Sequence, residues 1–281
     1  MNYVLFYSGS PPNYINDCID SIISTEKQDY SIFYCGDVDL KRNDIIFINK
    51  NIIKSNLISK VEKLNYFKND PNPLWLNSFL RIFYILEVAK YCKIDEFIHF
   101  DCDVLIFKPY REILLNFKKD KLNITPVNEL FLNFSYSFID NLSVLETICF
   151  LILEILEESS KHESKYYNGN RFNEMNLLNI AYIKNPNVFS LLNILPNEKN
   201  NYIFDPGSYG QYIGGVHNKM FSKFYINEEH YVGRNIIKNK MKIKFKNGRP
   251  IVIHNSKLFE LVNLHVHSKK LKKYRKIEKP I

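Results

Sequence analysis

The chain has 281 residues and a mass of 33.4 kDa, with 46% hydrophobic and 24% charged residues. This composition excludes a disordered or fibrous protein and is typical of a globular chain that buries one substantial core. The formal charge of +8 is uneven, with six basic residues in positions 269–276, so anionic partners have to be considered.

The cysteines and the apolar stretches indicate the cellular compartment of the protein. Five cysteines without a CxxC pair disfavour both a disulfide framework and structural zinc, and they favour a reducing compartment. The opening residues MNYVLFYSGS predict a first strand rather than a signal peptide. The longest apolar stretch, 145–158, is interrupted by glutamates and is too short to span a bilayer. We therefore expect a cytoplasmic protein.

The first 49 residues predict a parallel βα unit. Apolar runs at 3–8 and 31–36 are typical of strands, and a third strand is predicted at 44–49. Between the first two runs, 13–27 has apolar residues at helical spacing. Strand, helix and strand in about 35 residues indicate a parallel sheet.

A long helix and a buried strand follow. Residues 71–93 predict a helix that begins near Pro73 and is apolar on almost every side. Its narrow polar edge consists of Asn77, Ser78 and Arg81. A strand predicted at 96–100 ends at an aspartate pair.

The second half of the chain is less regular. We predict strand or loop segments at 123–130 and 134–140, helices at 142–158 and 173–185, a polar loop at 157–171, a glycine-rich ordered loop at 204–216, and strands at 249–256 and 261–268. No repeat or linker divides the chain. The elements predict one α/β domain over residues 1–268 and a basic C-terminal tail over 269–281.

Asp101 and Asp103, in FIHFDCDVLIF, lie where the buried strand runs out. Ligands of open α/β sheets gather at such carboxyl ends. Two carboxylates one residue apart repel each other unless a cation or a proton lies between them, and oxygen ligands suit Mg²⁺ or Mn²⁺ with a bound diphosphate. The alternative is a capping or turn pair without a ligand.

Two histidines in NLHVHSKKL offer a further ligand. On an extended segment His265 and His267 point to the same side. A neutral imidazole suits Mn²⁺, and Lys269 or Lys270 would then meet phosphate oxygens as a point charge. The alternative is that this spacing is incidental.

Arg81 is a charge on an otherwise apolar helix, with Ser78 on the same face. It either pairs with a carboxylate for structural reasons, or holds the aspartate loop or a donor sugar. The two roles are compatible.

The stretch WLNSFLRIFYILEVAKYCKIDEFIHFDCDVLIFKPY resembles the central block of metal-dependent GT-A-fold glycosyltransferases, and NLHVHSK resembles their late metal-ligand histidine and phosphate-contacting lysine. The resemblance implies a Rossmann-related, mixed but mostly parallel sheet flanked by helices. It also implies a donor half near 1–110 and an acceptor half near 111–268. Transfer of a sugar from a nucleotide-diphosphate donor is the implied activity.

The resemblance also implies residue roles. Asp101 and Asp103 would hold the metal and the donor, with His267, or alternatively His265, completing the metal site. The donor contacts implied for the other residues are Lys269 on the diphosphate, Arg81 and Ser78 near the sugar, and Tyr7, Ser8 and Asp37 on the base and ribose.

The chain departs from the family pattern where many retaining members have an Asp-Gln pair. Here FNEMNLLNIAY has Glu174 at the acidic position. Glu174 would be the general base of an inverting enzyme or would orient the sugar in a retaining one. Gln211 and Asp205, in the glycine-rich loop, are further catalytic candidates, with a purely structural loop as the alternative.

The implied cofactor is Mn²⁺ or Mg²⁺, the implied donor is a UDP-sugar, and the acceptor is a glycan or a lipid-linked glycan of the lipopolysaccharide or capsule type. The basic tail would hold the protein at the anionic inner face of a membrane, or would simply be solvated. Other classes are a nucleotidyltransferase, for which YSGSPP is a poor phosphate loop, and a nucleic-acid-binding protein, which charge alone suggests. No nucleic-acid partner is expected.

Overall fold

The computed structural model describes residues 1–64, 66, 73–215, 226–239 and 241–275. Its strands in chain order are β1 (Asn2–Tyr7), β2 (Ser31–Gly36), β3 (Ile46–Asn49), β4 (Phe97–Phe100), β5 (Val104–Ile106), β6 (Leu122–Asn128), β7 (Phe131–Ile139), β8 (Phe189–Leu191), β9 (Tyr202–Ile203), β10 (Lys242–Lys246), β11 (Arg249–His254), β12 (Lys257–Leu261) and β13 (Asn263–His265). Its α-helices are α1 (Tyr14–Glu26), α2 (Asn56–Lys63), α3 (Pro73–Cys92), α4 (Tyr110–Ile113), α5 (Leu142–Glu157), α6 (Ser159–Tyr167), α7 (Glu174–Lys184) and α8 (Tyr231–Asn239).

The main sheet has seven strands in the order β3-β2-β1-β4-β7-β6-β8. All neighbouring pairs are parallel except those that β7 makes with β4 and β6. The predicted fold class, a mixed but mostly parallel sheet flanked by helices, is therefore confirmed. Because β1, β2 and β4 run in the same direction, their carboxyl ends meet at one edge of the sheet.

Helices cover both faces of this sheet. Strand β1 shows why, since Val4 and Phe6 pack in one hydrophobic cluster while Tyr3 and Leu5 pack in the other. The first cluster includes side chains from α2, α3, α5 and α7. The second includes α1 together with β5, β13 and the smaller sheet β10-β11-β12-β9.

The predicted helices follow from their apolar spacing. In α1, Ile15, Cys18, Ile19 and Ile22 are fully buried at intervals of three and four residues, as the pattern predicted. Helix α3 is buried on several sides because it packs against β1, α2, α5 and α7. This packing explains its nearly continuous apolar sequence.

Two sequence-based predictions were wrong in detail. Residues 157–171, predicted as a polar loop, contain α6. This helix is held by the buried His162, by the Tyr66–Glu163 hydrogen bond (2.9 Å) and by Tyr166 and Tyr167, which pack against the first cluster. The strand predicted at 261–268 is shorter, because the chain changes partners at Val262. Its N–H donates to the carbonyl of Ile203, and its own carbonyl accepts from Phe107 on the other side.

The C-terminal segment is packed where the structure describes it. Leu271 and Tyr274 are buried, whereas the lysines between and beside them are exposed. The last six residues of the predicted tail lie outside the described part of the chain. Within the part that is described, no helix has both the length and the apolar character needed to cross a membrane.

Candidate metal and donor site

The aspartate pair forms a turn between two strands. Asp101 follows β4 directly, its N–H donates to the carbonyl of Ser135 (3.1 Å), and its carbonyl accepts from the N–H of Val104 (2.9 Å). The chain then enters β5, so Asp101 and Asp103 both lie at the carboxyl edge of the main sheet.

Pairing of β5 with β13 brings a histidine to this turn. The two strands are antiparallel, with His265 opposite Val104, and the N–H of Val266 donates to the carbonyl of Asp103 (2.9 Å). His265 Nε2 thereby lies 3.1 Å from Asp103 Oδ2, across a sequence separation of 162 residues. One ligand atom each from Asp101, Asp103 and His265 fall within 4.8 Å of one another.

Two basic side chains flank this cluster. Lys269 forms an ion pair with Asp103, and Arg81 forms one with Asp101. Although burial acts to raise it, the pKa of Asp103 lies well below its usual range because His265 and Lys269 adjoin the carboxylate. The site therefore combines ionised carboxylates with cations that can also pair with phosphate.

Arg81 also binds a third carboxylate. Its Nη2 lies 2.7 Å from Glu174 Oε1, and both side chains are largely buried. Glu174 is the first residue of α7, and the reciprocal hydrogen bonds of a capping box between Asn173 and Asn176 fix the start of this helix. The predicted catalytic residue Glu174 is thus tied through Arg81 to the aspartate turn.

His267 has different partners from His265. Its ring stacks on that of His265 at 4.2 Å, and its Nε2 donates to the carbonyl of Gly207 (2.7 Å). Burial, together with the neighbouring His265, lowers its pKa to about 3, so His267 stays neutral. The structure thus places His265 in the carboxylate cluster and His267 behind it.

Asp205 is wrapped by the backbone. Its carboxylate accepts five hydrogen bonds from N–H groups, those of Gly207, Ser208, Tyr209, Gly210 and His265. Burial raises the pKa of this carboxyl, and the backbone donors oppose the shift. Asn263 accepts from the Asp205 N–H (2.9 Å) and donates back to its carbonyl, so Asp205 fastens the glycine-rich turn to β13.

Gln211 follows the same turn. Its Nε2 donates to the carbonyl of Gly207 (2.9 Å) and lies 3.4 Å from His267 Nε2. Gln211 therefore contacts the glycine-rich turn and His267, and Asp205 contacts the same turn and the His265 N–H. Neither of these predicted catalytic residues contacts the carboxylate cluster.

A second polar cluster lies at the ends of β1, β2 and β3. Asp37 accepts from the Gly9 N–H (2.6 Å) and from Ser8 Oγ (3.3 Å), and it forms an ion pair with Lys50 (3.0 Å). Despite some burial, these donors lower the pKa of Asp37. Lys50 was not singled out from the sequence. It follows β3 directly, and ligands of α/β sheets bind at the carboxyl ends of such strands.

A cavity of about 410 Å³ connects most of the predicted residues. It is lined by Phe6, Tyr7, Ser8, Tyr14, Asn77, Ser78, Arg81, Asp101, Cys102, Asp103, His265 and Lys269. Predicted site residues that do not line it are Asp37, Glu174, Asp205, Gln211 and His267. The lining residue Tyr14, which sequence reasoning missed, begins α1 directly after the loop that follows β1.

The donor set fits a divalent metal. Two carboxylates and one imidazole supply the oxygen and nitrogen ligands that suit Mn²⁺, and carboxylates alone suit Mg²⁺. Lys269 and Arg81, which pair with Asp103 and Asp101, add two positive charges to this cluster.

No family model matches this chain, and no curated protein matches it. Solved structures are similar to it. Mouse xyloside xylosyltransferase 1, in its apo form, is 12% identical with a TM-score of 0.49, and the match covers 69% of this chain and 86% of that one. The galactosyltransferase LgtC, in complex with donor and acceptor sugar analogs, is 13% identical with a TM-score of 0.42, over 64% and 69% of the two chains.

A glycosyltransferase involved in glycosylation of the major capsid of PBCV-1 is also similar, at 13% identity and a TM-score of 0.39, over 72% of this chain and 85% of that chain. All three are glycosyltransferases, the class that the sequence motifs resemble.

Proposed function

We propose that the chain is a metal-dependent glycosyltransferase that moves a sugar from a nucleotide-diphosphate donor to a glycan or lipid-linked acceptor. One observation carries this proposal. Asp101, Asp103 and His265 converge at the carboxyl edge of the sheet, between the cations Arg81 and Lys269, in one cavity. Paired carboxylates beside cations suit a ligand that contains both a divalent metal and a diphosphate.

The residues divide the work along the cavity. Asp101, Asp103 and His265 would hold Mn²⁺ or Mg²⁺, which as a Lewis acid stabilises negative charge on a leaving diphosphate. Lys269 adds a positive charge on the phosphate side. Tyr7 and Ser8, with Asp37 and Lys50 behind Ser8, would form the nucleoside end, which we assign to a UDP-sugar.

Arg81, Ser78 and Glu174 would form the sugar end. The Arg81–Glu174 ion pair supports an orienting role for Glu174, because the guanidinium holds this carboxylate in a fixed position beside the aspartate turn. A base in an inverting reaction remains the other role for this residue. We assign Asp205 and Gln211 to the support of the histidine pair, on the basis of their backbone contacts.

The structure offers little to a nucleotidyltransferase phosphate loop after β1. The N–H of Gly9 is engaged by the carboxylate of Asp37, and Pro11 and Pro12 have no N–H to donate. Backbone donors for a phosphate are therefore scarce in this loop.

The proposed acceptor is of the lipopolysaccharide or capsule type, and we propose a cytoplasmic protein that binds the inner face of a membrane peripherally. Three exposed lysines, Lys270, Lys272 and Lys273, support this location because each adds about 1 kcal/mol of attraction to an anionic surface. In a co-sedimentation assay, the wild type should pellet with vesicles that contain anionic lipid. A variant with all three lysines changed to glutamine should stay in the supernatant.

A donor panel tests the proposed function. UDP- and GDP-sugars are added with and without Mn²⁺, and thermal stabilisation and donor hydrolysis are measured. We expect stabilisation by at least one UDP-sugar only with the metal present. Failure of every nucleotide sugar to bind in the presence of Mn²⁺ would refute the proposal.

A further inference from the structure

The C-terminal strap, defined as residues 269–275, connects the candidate site to the outer face of α1. At its start, Lys269 pairs with Asp103 and lies over the ring of Tyr14, with its ammonium 5.6 Å from the ring centroid. At its end, Arg275 Nη1 lies 3.2 Å from Asp17 Oδ1 and also pairs with Asp20. Both ends of the strap therefore contact one helix.

The middle of the strap is anchored by packing. Leu271 is fully buried, and Tyr274 is buried with its hydroxyl donating to the carbonyl of Ile213 (3.1 Å). A short 3₁₀ turn, Leu271–Lys273, carries the chain between these two anchors. The strap therefore has a defined path, and this path sets the position of the Lys269 backbone.

This segment contains two kinds of basic residue, paired ones at its two ends and exposed ones between them. Lys269 and Arg275 are partly buried and paired with carboxylates, whereas Lys270, Lys272 and Lys273 are exposed. A uniform basic tail for surface attraction would not need this division. It indicates that the first and last cations position the strap.

The anchor on α1 is itself organised. Arg42 pairs with Asp20 (2.7 Å) and Asp44 (2.7 Å), so Asp20 lies between two guanidinium groups. The Arg275 side chain is 18% exposed and that of Asp17 is 21% exposed, so solvent screens this pair only in part. The pair is therefore less screened than a fully exposed salt bridge.

We propose that Arg275 is a positioning residue that acts through Lys269. By pairing with Asp17 and Asp20 it holds the strap on α1, and so keeps the Lys269 ammonium beside Asp103, where the donor diphosphate binds. This inference rests on the proposed function and assigns a role in donor affinity to a residue remote from the cavity.

A double-mutant cycle tests it. Arg275→Gln should raise the donor KM about fivefold with little change in kcat, and Arg275→Lys should restore part of the loss. In a Lys269→Gln background the Arg275→Gln change should have no further effect, because the residue through which it acts is gone. Lys272→Gln removes the same charge from an exposed position and is the matched control.

Two results would overturn the inference: an equal loss for Lys272→Gln and Arg275→Gln, or an undiminished Arg275→Gln effect without Lys269. Amide hydrogen exchange of the donor-free protein provides the second readout. The Lys269 N–H, which donates to the carbonyl of Val266 (2.8 Å), should exchange about tenfold faster in Arg275→Gln. If the wild type binds no nucleotide sugar, the proposed function fails, and unchanged exchange at Lys269 then refutes the strap separately.

Discussion

Asp103 and Asp205 are both buried aspartates beside β13, and their partners differ. Asp205 accepts five backbone N–H bonds and does not line the cavity. Asp103 faces the side chains of His265 and Lys269 and lines it. A carboxylate satisfied by the backbone is part of the fold, whereas one satisfied by side chains can exchange those partners for a ligand.

The largest predicted effect is on ligand binding at Asp103. Asp103→Asn should weaken Mn²⁺-dependent donor binding by about 100-fold or more, because a ligand of the metal is replaced by a neutral amide. Calorimetric titration of the donor with Mn²⁺ measures the loss, and thermal unfolding without ligand should show an intact fold. Asp39→Asn, at a partly exposed surface site, is the control. Wild-type affinity in Asp103→Asn would contradict the assignment.

Asp205→Asn should act on stability instead. The amide group of asparagine would bring a donor against N–H groups that now bind a carboxylate oxygen, and we expect a loss of about 3 kcal/mol in the free energy of unfolding. Urea denaturation measures this loss. Unchanged stability together with abolished transfer would show that Asp205 is a catalytic residue and not a support of the fold.

The two histidines should differ in the same way. His265→Ala should weaken Mn²⁺ affinity about tenfold or more, while His267→Ala should have a smaller effect because its Nε2 binds the carbonyl of Gly207. Mn²⁺ titration followed by electron paramagnetic resonance measures both. A larger loss for His267 would reverse the assignment of the ligand.

The smallest predicted effect concerns the turn behind the histidines. Gly207 has φ +90°, and a Cβ there would lie 3.1 Å from Asn133 Nδ2 and 3.4 Å from His265 Nδ1. Gly207→Ala should cost about 1 kcal/mol of unfolding free energy and also weaken Mn²⁺ binding slightly. Gly169→Ala, at a turn with φ +79° and open space, shares the strain without the contacts. Equal metal affinity in both variants would remove Gly207 from the support of His265.

The sequence was sufficient for features that depend on local pattern. Helical spacing in α1 and the apolar runs of β1 and β2 predicted the parallel unit, and the aspartate pair was visible because its members are one residue apart after the predicted strand β4. Partners fixed by long-range register were not predictable. Whether His265 or His267 meets Asp103 depends on the pairing of β5 with β13. The backbone hydrogen bonds to Asp205 and the Arg81–Glu174 ion pair correspond to no recognisable residue spacing in the sequence.

Helix α6 was not predicted because it, too, depends on contacts with distant parts of the chain. Its sequence has no continuous apolar stripe. Its contacts include the buried His162, a hydrogen bond from Tyr66 far earlier in the chain, and the packing of Tyr166 and Tyr167 on the first cluster. Tertiary contacts of this kind override local composition.

The most direct test of the metal site is a crystal structure with Mn²⁺ and UDP, in which anomalous scattering locates the metal. We predict one Mn²⁺ at about 2.0–2.3 Å from ligand atoms of Asp101, Asp103 and His265, with the diphosphate between it and Lys269. A metal bound elsewhere, or UDP bound with Asp101 and Asp103 still paired only to Arg81 and Lys269, would contradict the account.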